Sequence, residues 1–310
     1  MKCLVTGANG LIGRILVERL VAGAHTVCAT DVRPEFSNDW KKSGVIFQSL
    51  EILDQAAVAG AVRSFQPDWI FHLAAQSLPN VSWEKPALTF EVNVIGSANV
   101  FEAVRVAQPG ARVVAVCSSG EYAPVATRTP IAEGDLLYPS SPYAVSKIAE
   151  DHMARLYYEH YGLQTVRARP FYLIGPGKTG DMSSDFARGI VAIERGEQRE
   201  LAVGNLEVVR DLLDVRDGAA ALVKLAEYGK PGEVYNVCSG EGLCIRDVLE
   251  ALKKMARVPI VEKVDPSRLR PIDEPVKIGN AEKLRALGWK LERAIQQTIK
   301  DILDYWRESR

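Results

Sequence analysis

Lys2-Cys3-Leu4-Val5-Thr6-Gly7-Ala8-Asn9-Gly10-Leu11-Ile12-Gly13 is the stretch that decides the fold. Its first five residues form a short apolar run of strand length. From Leu11 onward, Leu11, Ile12, Ile15, Leu16 and Leu20 recur at helical spacing. Gly7, Gly10 and Gly13 stand at and just beyond the junction. A strand that turns through glycines straight into a helix suits a dinucleotide: the backbone can approach the pyrophosphate closely, and the helix N-terminus favours its charge. Glycines at this spacing also occur in tight turns, and it is the strand before and the helix after that favour binding.

Outward from this stretch, strand and helix patterns alternate. Thr26–Thr30 and Val45–Gln48 read as strands two and three, 55–64 as a crossover helix and Trp69–Leu73 as a buried strand. A long helix around Ala87–Val106 leads to the apolar Arg112–Cys117, and a helix ending near Tyr161 precedes the strand Thr165–Ala168. Such alternation predicts an α/β protein with a parallel sheet covered on both faces, and right-handed crossovers make it a doubly wound, Rossmann-type fold. After about Pro170 the chain becomes turn-rich, as in Gly175-Pro176-Gly177-Lys178-Thr179-Gly180 and the proline-containing 266–275. The expected organisation is a dinucleotide-binding domain over 1–170 with a returning segment at about 211–237. Residues 171–210 and 238–310 would form a smaller C-terminal substrate-binding lobe.

Bulk properties exclude several functions. The 310 residues are 47% hydrophobic and 25% charged with a net charge of −1, so nothing favours nucleic acid or an anionic membrane. Cys3, Cys28, Cys117, Cys238 and Cys244 form no metal-type cluster and read as reduced thiols of a cytoplasmic protein. Thr6, Asn9, Arg14, Glu18 and Arg19 break the apolar start before a signal-peptide core forms, and no uncharged run approaches a membrane span.

Chemistry enters with Tyr143 and Lys147 in Tyr143-Ala144-Val145-Ser146-Lys147. Four apart on a helix, they share a face. The ammonium is expected to lower the phenol's pKa from its usual value of about 10, making Tyr143 a proton donor and acceptor near neutral pH. Combined with a dinucleotide, this implies hydride chemistry at a carbonyl or carbinol carbon. Cys117-Ser118-Ser119 ends a strand at the carboxyl edge, where ligands bind in parallel sheets and a hydroxyl can meet developing charge. Serines are ordinary strand-end turn residues too, so Ser118 gains its weight from Tyr143 and Lys147.

Asp31 ends the second strand, where its carboxylate would accept from both adenosine ribose hydroxyls and repel a 2′-phosphate. It favours NAD, with NADP left open because Arg33 is two residues on. A turn aspartate is the alternative. Glu51-Ile52 would bracket the adenine or be an exposed loop. His72 on an apolar strand reads as a packed side chain, and His25, His152 and His160 share no ligand spacing, so no metal is expected.

The glycine fingerprint, His72-Leu73-Ala74-Ala75, Asn93-Val94-Ile95-Gly96, Ser118, Tyr143/Lys147 and Arg169-Pro170-Phe171 together resemble the extended short-chain dehydrogenase/reductases that act on nucleotide sugars. The resemblance spans essentially the whole chain. It implies that Ser118 and Tyr143 contact the reacting sugar oxygen and that Lys147 holds the nicotinamide ribose. Asn9, Leu11 and Ile12 would join the glycines at the cofactor, with Leu73, Ala74, Ala75, Asn93 and Phe171 lining it.

A narrower likeness, to the GDP-mannose 4,6-dehydratase and GDP-4-keto-6-deoxymannose reductase branch, rests on motifs of the second lobe. These are Ile174-Gly175-Pro176-Gly177, Gly204-Asn205-Leu206-Glu207, Arg210-Asp211-Leu212-Leu213-Asp214-Val215-Arg216-Asp217 and Leu269-Arg270-Pro271. It implies that Arg210 and Arg270 grip a diphosphate, which the guanidinium fork suits; the alternative is surface ion pairing. Ser77, Ser119 and Tyr172 complete the expected substrate contacts, Tyr172 standing where the branch usually has Asn. A homodimer through the helices near Ala87–Val106 and Pro142–Tyr161 is likewise implied.

Elimination of water across C5 and C6 requires a base and an acid. Dehydratases of the wider family place Glu two residues beyond the strand-end hydroxyl, where this chain has Gly120; Glu121 comes one residue later. A reductase needs only the hydride, Tyr143 as acid and Ser118 as hydrogen-bond donor. The expected activity is reduction of the C4 ketone of a GDP-4-keto-6-deoxyhexose. An NAD-retaining nucleotide-sugar 4-epimerase, using the same three residues, is the alternative. A dinucleotide sensor without turnover is disfavoured by the presence of all three.

Overall fold

The computed structural model describes residues 1–33, 40, 42–269 and 274–309. Seven strands lie parallel in one sheet. The first six in chain order are β1 (Lys2–Thr6), β2 (Thr26–Asp31), β3 (Ile46–Ser49), β4 (Trp69–His72), β5 (Arg112–Val116) and β6 (Gln164–Pro170). Across the sheet they run β3-β2-β1-β4-β5-β6, and Val234–Val237 follows beside β6 with Tyr235 opposite Ala168. This is the doubly wound order, whose direction of growth reverses between β1 and β4. Thr6 pairs with both Thr30 and His72, and Val116 with Ala168, so the residues just after these strands share one edge.

Alternation along the strands divides two cores. Cys3, Val5, Val27, Ala29, Phe71, Val114 and Val166 face the helices Leu11–Ala22 and Val215–Tyr228. Leu4, Cys28, Ile70, Val113 and Ala115 face the helices Gln55–Phe65 and Gly96–Ala107. A strand buried on both faces is apolar at most positions, which is why these segments read as near-continuous apolar runs.

The helix bearing Tyr143 spans Pro142–Tyr161. Ser141 caps it by accepting from the Ala144 N–H, Pro142 occupies the first turn where its missing N–H costs nothing, and Gly162 ends it at φ +70°. The segment expected as one long helix is instead Pro86–Phe90, a π-turn over Glu91–Ile95, and Gly96–Ala107. A π-turn adds one residue to a helical turn, so apolar periodicity passes through it almost unbroken.

Beyond Pro170 lies a small sheet that periodicity did not reveal. Val209–Asp214 is its central strand, flanked by Tyr172–Ile174 and Val276–Lys277 (parallel) and Gly242–Cys244 (antiparallel). Its core joins Phe186, Ile190, Val248, Leu249, Ile299 and Leu303 from three helices. After Asp214 the chain returns to the large sheet: helix Val215–Tyr228 covers it and Val234–Val237 extends it. Among the described residues no helix is long and apolar enough to cross a membrane.

Candidate active site

Gly7 has φ +67°, and a Cβ there would lie 2.7 Å from the Ala74 nitrogen; one at Gly13 would lie 2.4 Å from the Gly7 oxygen. Both glycines are therefore demanded by close backbone approach between the ends of β1 and β4 and the start of the helix. Gly10 offers that helix no side-chain cap, so its first-turn N–H groups stay available to an anion. Asp31 is buried; its carboxylate accepts from the Asn9 N–H (3.0 Å) and the Arg33 N–H (3.0 Å), with the Arg33 guanidinium at 3.2 Å. An open cradle, an uncapped helix and a carboxylate at the end of β2 fit a dinucleotide.

Leu73, Ala74 and Ala75 follow β4 and are half-buried. Ile52 is buried, its carbonyl held by Asn99 (2.9 Å), whereas Glu51 is exposed. Asn93, in the π-turn, is engaged at both ends of its amide: it accepts from the Gln76 N–H (2.8 Å) and donates to the Gln76 carbonyl (3.0 Å) and Ser146 hydroxyl (2.9 Å). It clamps the loop after β4 to the first turns of the Tyr143 helix.

His72 is settled by its neighbours. The Ser97 hydroxyl donates to the Asn93 carbonyl (2.6 Å), so it accepts from His72 Nε2 (2.9 Å); Nδ1 then accepts from Thr6 Oγ1 (2.9 Å). Burial, reinforced by the Lys147 charge, pushes its pKa down to about 3, so the ring is neutral and structural.

Ser118 caps the short helical turn Ser119–Glu121: its Oγ accepts from the Gly120 N–H (3.0 Å), and its hydroxyl stands near enough to Tyr143 to influence the phenol. Tyr143 is half-buried and Lys147 is buried. The expected downward shift of the phenol is reversed. Burial raises its pKa, and the opposing Lys147 charge and Ser118 hydrogen bond do not overcome it, with Glu150 and Glu121 adding to the rise. Lys147 forms a buried ion pair with Glu150, three residues on. Burial disfavours the ammonium, but Glu150 and Tyr143 hold its pKa above the usual lysine range.

Beneath these residues lies a charged floor. Arg167 and Arg169, two apart on β6, point to one face, where Asp151 accepts from both (2.6 and 3.0 Å). Arg169 Nε also lies 3.0 Å from Glu121 Oε2, and its Nη1 donates to the Tyr122 hydroxyl (3.0 Å). Glu121 turns its other oxygen back to the Ser118 N–H (2.8 Å) in a capping box. Burial and the Asp151 charge raise the Glu121 pKa; for Asp151, burial is outweighed by the two arginines and the pKa falls. Cys117, Glu121 and Asp151 place ligand atoms within 4.8 Å of one another, but the guanidinium already holds both acids.

Of the residues expected at the substrate, Ser119 is buried and Ser77 exposed; Phe171, expected at the cofactor, is buried with its ring 6.2 Å from that of Tyr122. Arg210 is buried in the small sheet; its guanidinium lies 5.4 Å from the half-buried Tyr172 ring and donates to the Val209 (3.0 Å) and Glu274 (2.7 Å) carbonyls. Arg270 lies outside the described residues. The sequence reading passed over Glu150 and Asp151. The detectable signal was an acid three residues after Lys147 and seven after Tyr143, which puts all three on one helical face.

The family model described as GDP-mannose 4,6 dehydratase matches residues 4–302. A GDP-6-deoxy-D-mannose reductase of Pseudomonas aeruginosa is 33% identical over 100% of this chain and 98% of its own length. The structure of RMD from P. aeruginosa complexed with NADPH superposes with TM-score 0.86 at 31% identity, covering 99% of this chain and 98% of the other. The Thermus thermophilus UDP-glucose 4-epimerase in complex with NAD superposes with TM-score 0.88 at 31% identity, covering 100% of both chains.

Proposed function

The chain belongs to the GDP-mannose 4,6-dehydratase family of extended short-chain dehydrogenase/reductases, and from that premise we propose that it reduces the C4 ketone of a GDP-4-keto-6-deoxyhexose with a nicotinamide dinucleotide. The observation that carries the choice within the family is the fate of the acids near Ser118. Position 120 is glycine, and Glu121 is fully buried with one oxygen on the Ser118 N–H and the other beside Arg169. The site therefore offers no carboxyl group at that turn for elimination across C5 and C6, while it has everything a reduction needs.

In this reading Gly7, Asn9, Gly10, Leu11, Ile12 and Gly13 hold the pyrophosphate, Asp31 the adenosine ribose, and Glu51 and Ile52 the adenine. Leu73, Ala74, Ala75, Asn93 and Phe171 line the remainder, with Lys147 at the nicotinamide ribose. The bound dinucleotide supplies the hydride for C4. Tyr143 gives its phenolic proton to the C4 oxygen, and the Ser118 hydroxyl donates to the same oxygen as negative charge builds on it. The Gly120 N–H, bonded to Ser118 Oγ, leaves that hydroxyl's proton free to point at the substrate. Lys147 stabilises the phenolate left behind. Ser77, Ser119, Tyr172, Arg210 and Arg270 form the nucleotide-sugar side, in a lobe made of 171–210 and 238–310.

Exposed apolar side chains on the two helical segments around the cleft (Leu88, Ile95, Val145 and Leu156) support a homodimer. Five free cysteines support a cytoplasmic location.

Turnover of GDP-4-keto-6-deoxymannose with NADH and NADPH in parallel tests the proposal. Stoichiometric consumption of reduced dinucleotide with a new 6-deoxyhexose product is expected. Tyr143→Phe should cut turnover about 10²–10⁴-fold while leaving dinucleotide affinity unchanged. Asp31, seated on the Asn9 N–H, favours a second reading, an NAD-retaining 4-epimerase. No consumption, with NAD co-purifying, would move the assignment there.

A further inference from the structure

Tyr143, Lys147 and Glu150 form a stripe down one face of the Pro142–Tyr161 helix, and its deepest member has no part in the chemistry proposed above. The Glu150 side chain is 1% exposed. One of its oxygens meets the Lys147 ammonium, and the other, Oε1, is buried without a hydrogen-bond partner. A buried ion pair is weak evidence of stabilisation, because desolvating both charges costs several kcal/mol, about as much as their attraction returns. A buried carboxylate oxygen without a partner adds to that cost. Fold stability therefore does not account for an acid here.

The surroundings narrow what it does. On its own helix Glu150 adjoins Lys147 and Asp151. The end of β5 contributes Cys117 and Glu121, β6 contributes Arg167 and Arg169, and β4 contributes the neutral His72. Glu102, on the Gly96–Ala107 helix, is engaged by Arg105 (2.7 Å) and the Tyr157 hydroxyl (2.6 Å). Asp151 and Glu121 are held by the two arginines. Glu150 alone among these acids is paired with Lys147, the cation that acts on the catalytic phenol.

We propose that Glu150 is a positioning residue that offsets the Lys147 charge at Tyr143 and so keeps the phenol in its proton-donating form, suiting the site to reduction. The inference rests on the reading of Tyr143 as the acid. Electrostatics sets the direction: a lone ammonium beside a phenol makes it more acidic, whereas an ammonium closely backed by a carboxylate acts as a dipole whose effect falls off faster with distance. Burial and the neighbouring Asp151 raise the Glu150 pKa to about 7, with Lys147 opposing them. The offset is thus strongest above neutrality, on the approach to the range in which a phenol loses its proton.

Alkaline ultraviolet titration reads this without substrate, so its outcome is independent of which nucleotide sugar is turned over. Subtracting the Tyr143→Phe counterpart of each protein isolates one phenol among ten tyrosines. Glu150→Gln is expected to make Tyr143 about tenfold more acidic, and Glu150→Asp, which keeps the charge, to restore most of the wild-type midpoint. An unchanged midpoint in Glu150→Gln would overturn the proposal. If that variant does not fold, Lys147→Met should titrate above wild type and Lys147→Met/Glu150→Met close to it. A double variant that titrates with Lys147→Met would overturn the proposal equally.

Discussion

The glycine loop and the floor under Tyr143 lie at the same carboxyl edge, and they are built in opposite ways. At Gly7 and Gly13 the chain removes side chains so that backbone meets backbone, and the buried Asp31 carboxylate there rests on two main-chain N–H groups with the Arg33 guanidinium alongside. Under Tyr143 it concentrates six ionisable side chains, Lys147, Glu150, Asp151, Glu121, Arg167 and Arg169, all of them buried. The first region is specified by space and the second by charge balance. A region specified by space should be sensitive to any added atom and indifferent to pH. A region of balanced charge should tolerate changes of shape but not the loss of one sign.

The largest effect expected from this contrast is at Arg169. Replacing it with Met leaves Glu121 and Asp151 short of a partner, and stability to urea should fall by about 3–5 kcal/mol. A loss below about 1 kcal/mol would mean that the floor is not held by charge.

Next comes pH. Because the folded Glu150 pKa is raised to about 7, the folded state holds that proton more tightly than the unfolded chain does. Its contribution is fully present below the ordinary carboxylate range and is lost as pH rises through 7. His72, pushed down, and Asp151, lowered, titrate in the opposite sense, so the informative quantity is the difference between wild type and Glu150→Gln. That difference should move in the variant's favour by about 2–3 kcal/mol between pH 4.5 and 7.5; a flat difference would contradict the raised value.

Gly7→Ala is the matching test of the spatial region. It forces a Cβ against the Ala74 nitrogen at a φ of +67°, so about 1–2 kcal/mol of stability and at least about tenfold of dinucleotide affinity should be lost, equally at pH 6 and pH 8. A loss that depended on pH would blur the contrast. The smallest effect is at Arg33, whose exposed guanidinium leans on Asp31. Arg33→Ala should raise the preference for NADH over NADPH by a factor of about 2–5, since only a surface cation is withdrawn from a 2′-phosphate.

The same contrast explains which features are legible in the sequence. The three glycines stand within seven residues, Gly7 to Gly13, and Tyr143 and Lys147 sit one helical turn apart, so both patterns are legible even though the backbone that crowds Gly7 comes from Ala74. The large parallel sheet is legible as well, because strands buried on two faces are apolar at most positions. The charged floor was not, since its partners come from β5, β6 and a helix, and no local spacing links Glu121 to Arg169. The sign of the Tyr143 shift was misjudged for a related reason: burial is a tertiary property, and the sequence shows the lysine without the depth at which it lies. In the second lobe, strands as short as Gly242–Cys244 and Val276–Lys277 offer too few residues for any period to register.

The return of the chain after Asp214 has a consequence for how such a protein can change over time. Leu222, Leu225 and Val237 complete the core of the large sheet although they are encoded after Tyr172–Ile174 and Val209–Asp214 of the small one. A single crossover that exchanged everything beyond Pro170 would bring in a foreign helix and edge strand for the large sheet along with a new small sheet. Variation that leaves the large sheet intact must therefore arise by substitution within the small-sheet region, or by two separate exchanges on either side of residues 215–237, rather than by trading one contiguous cassette.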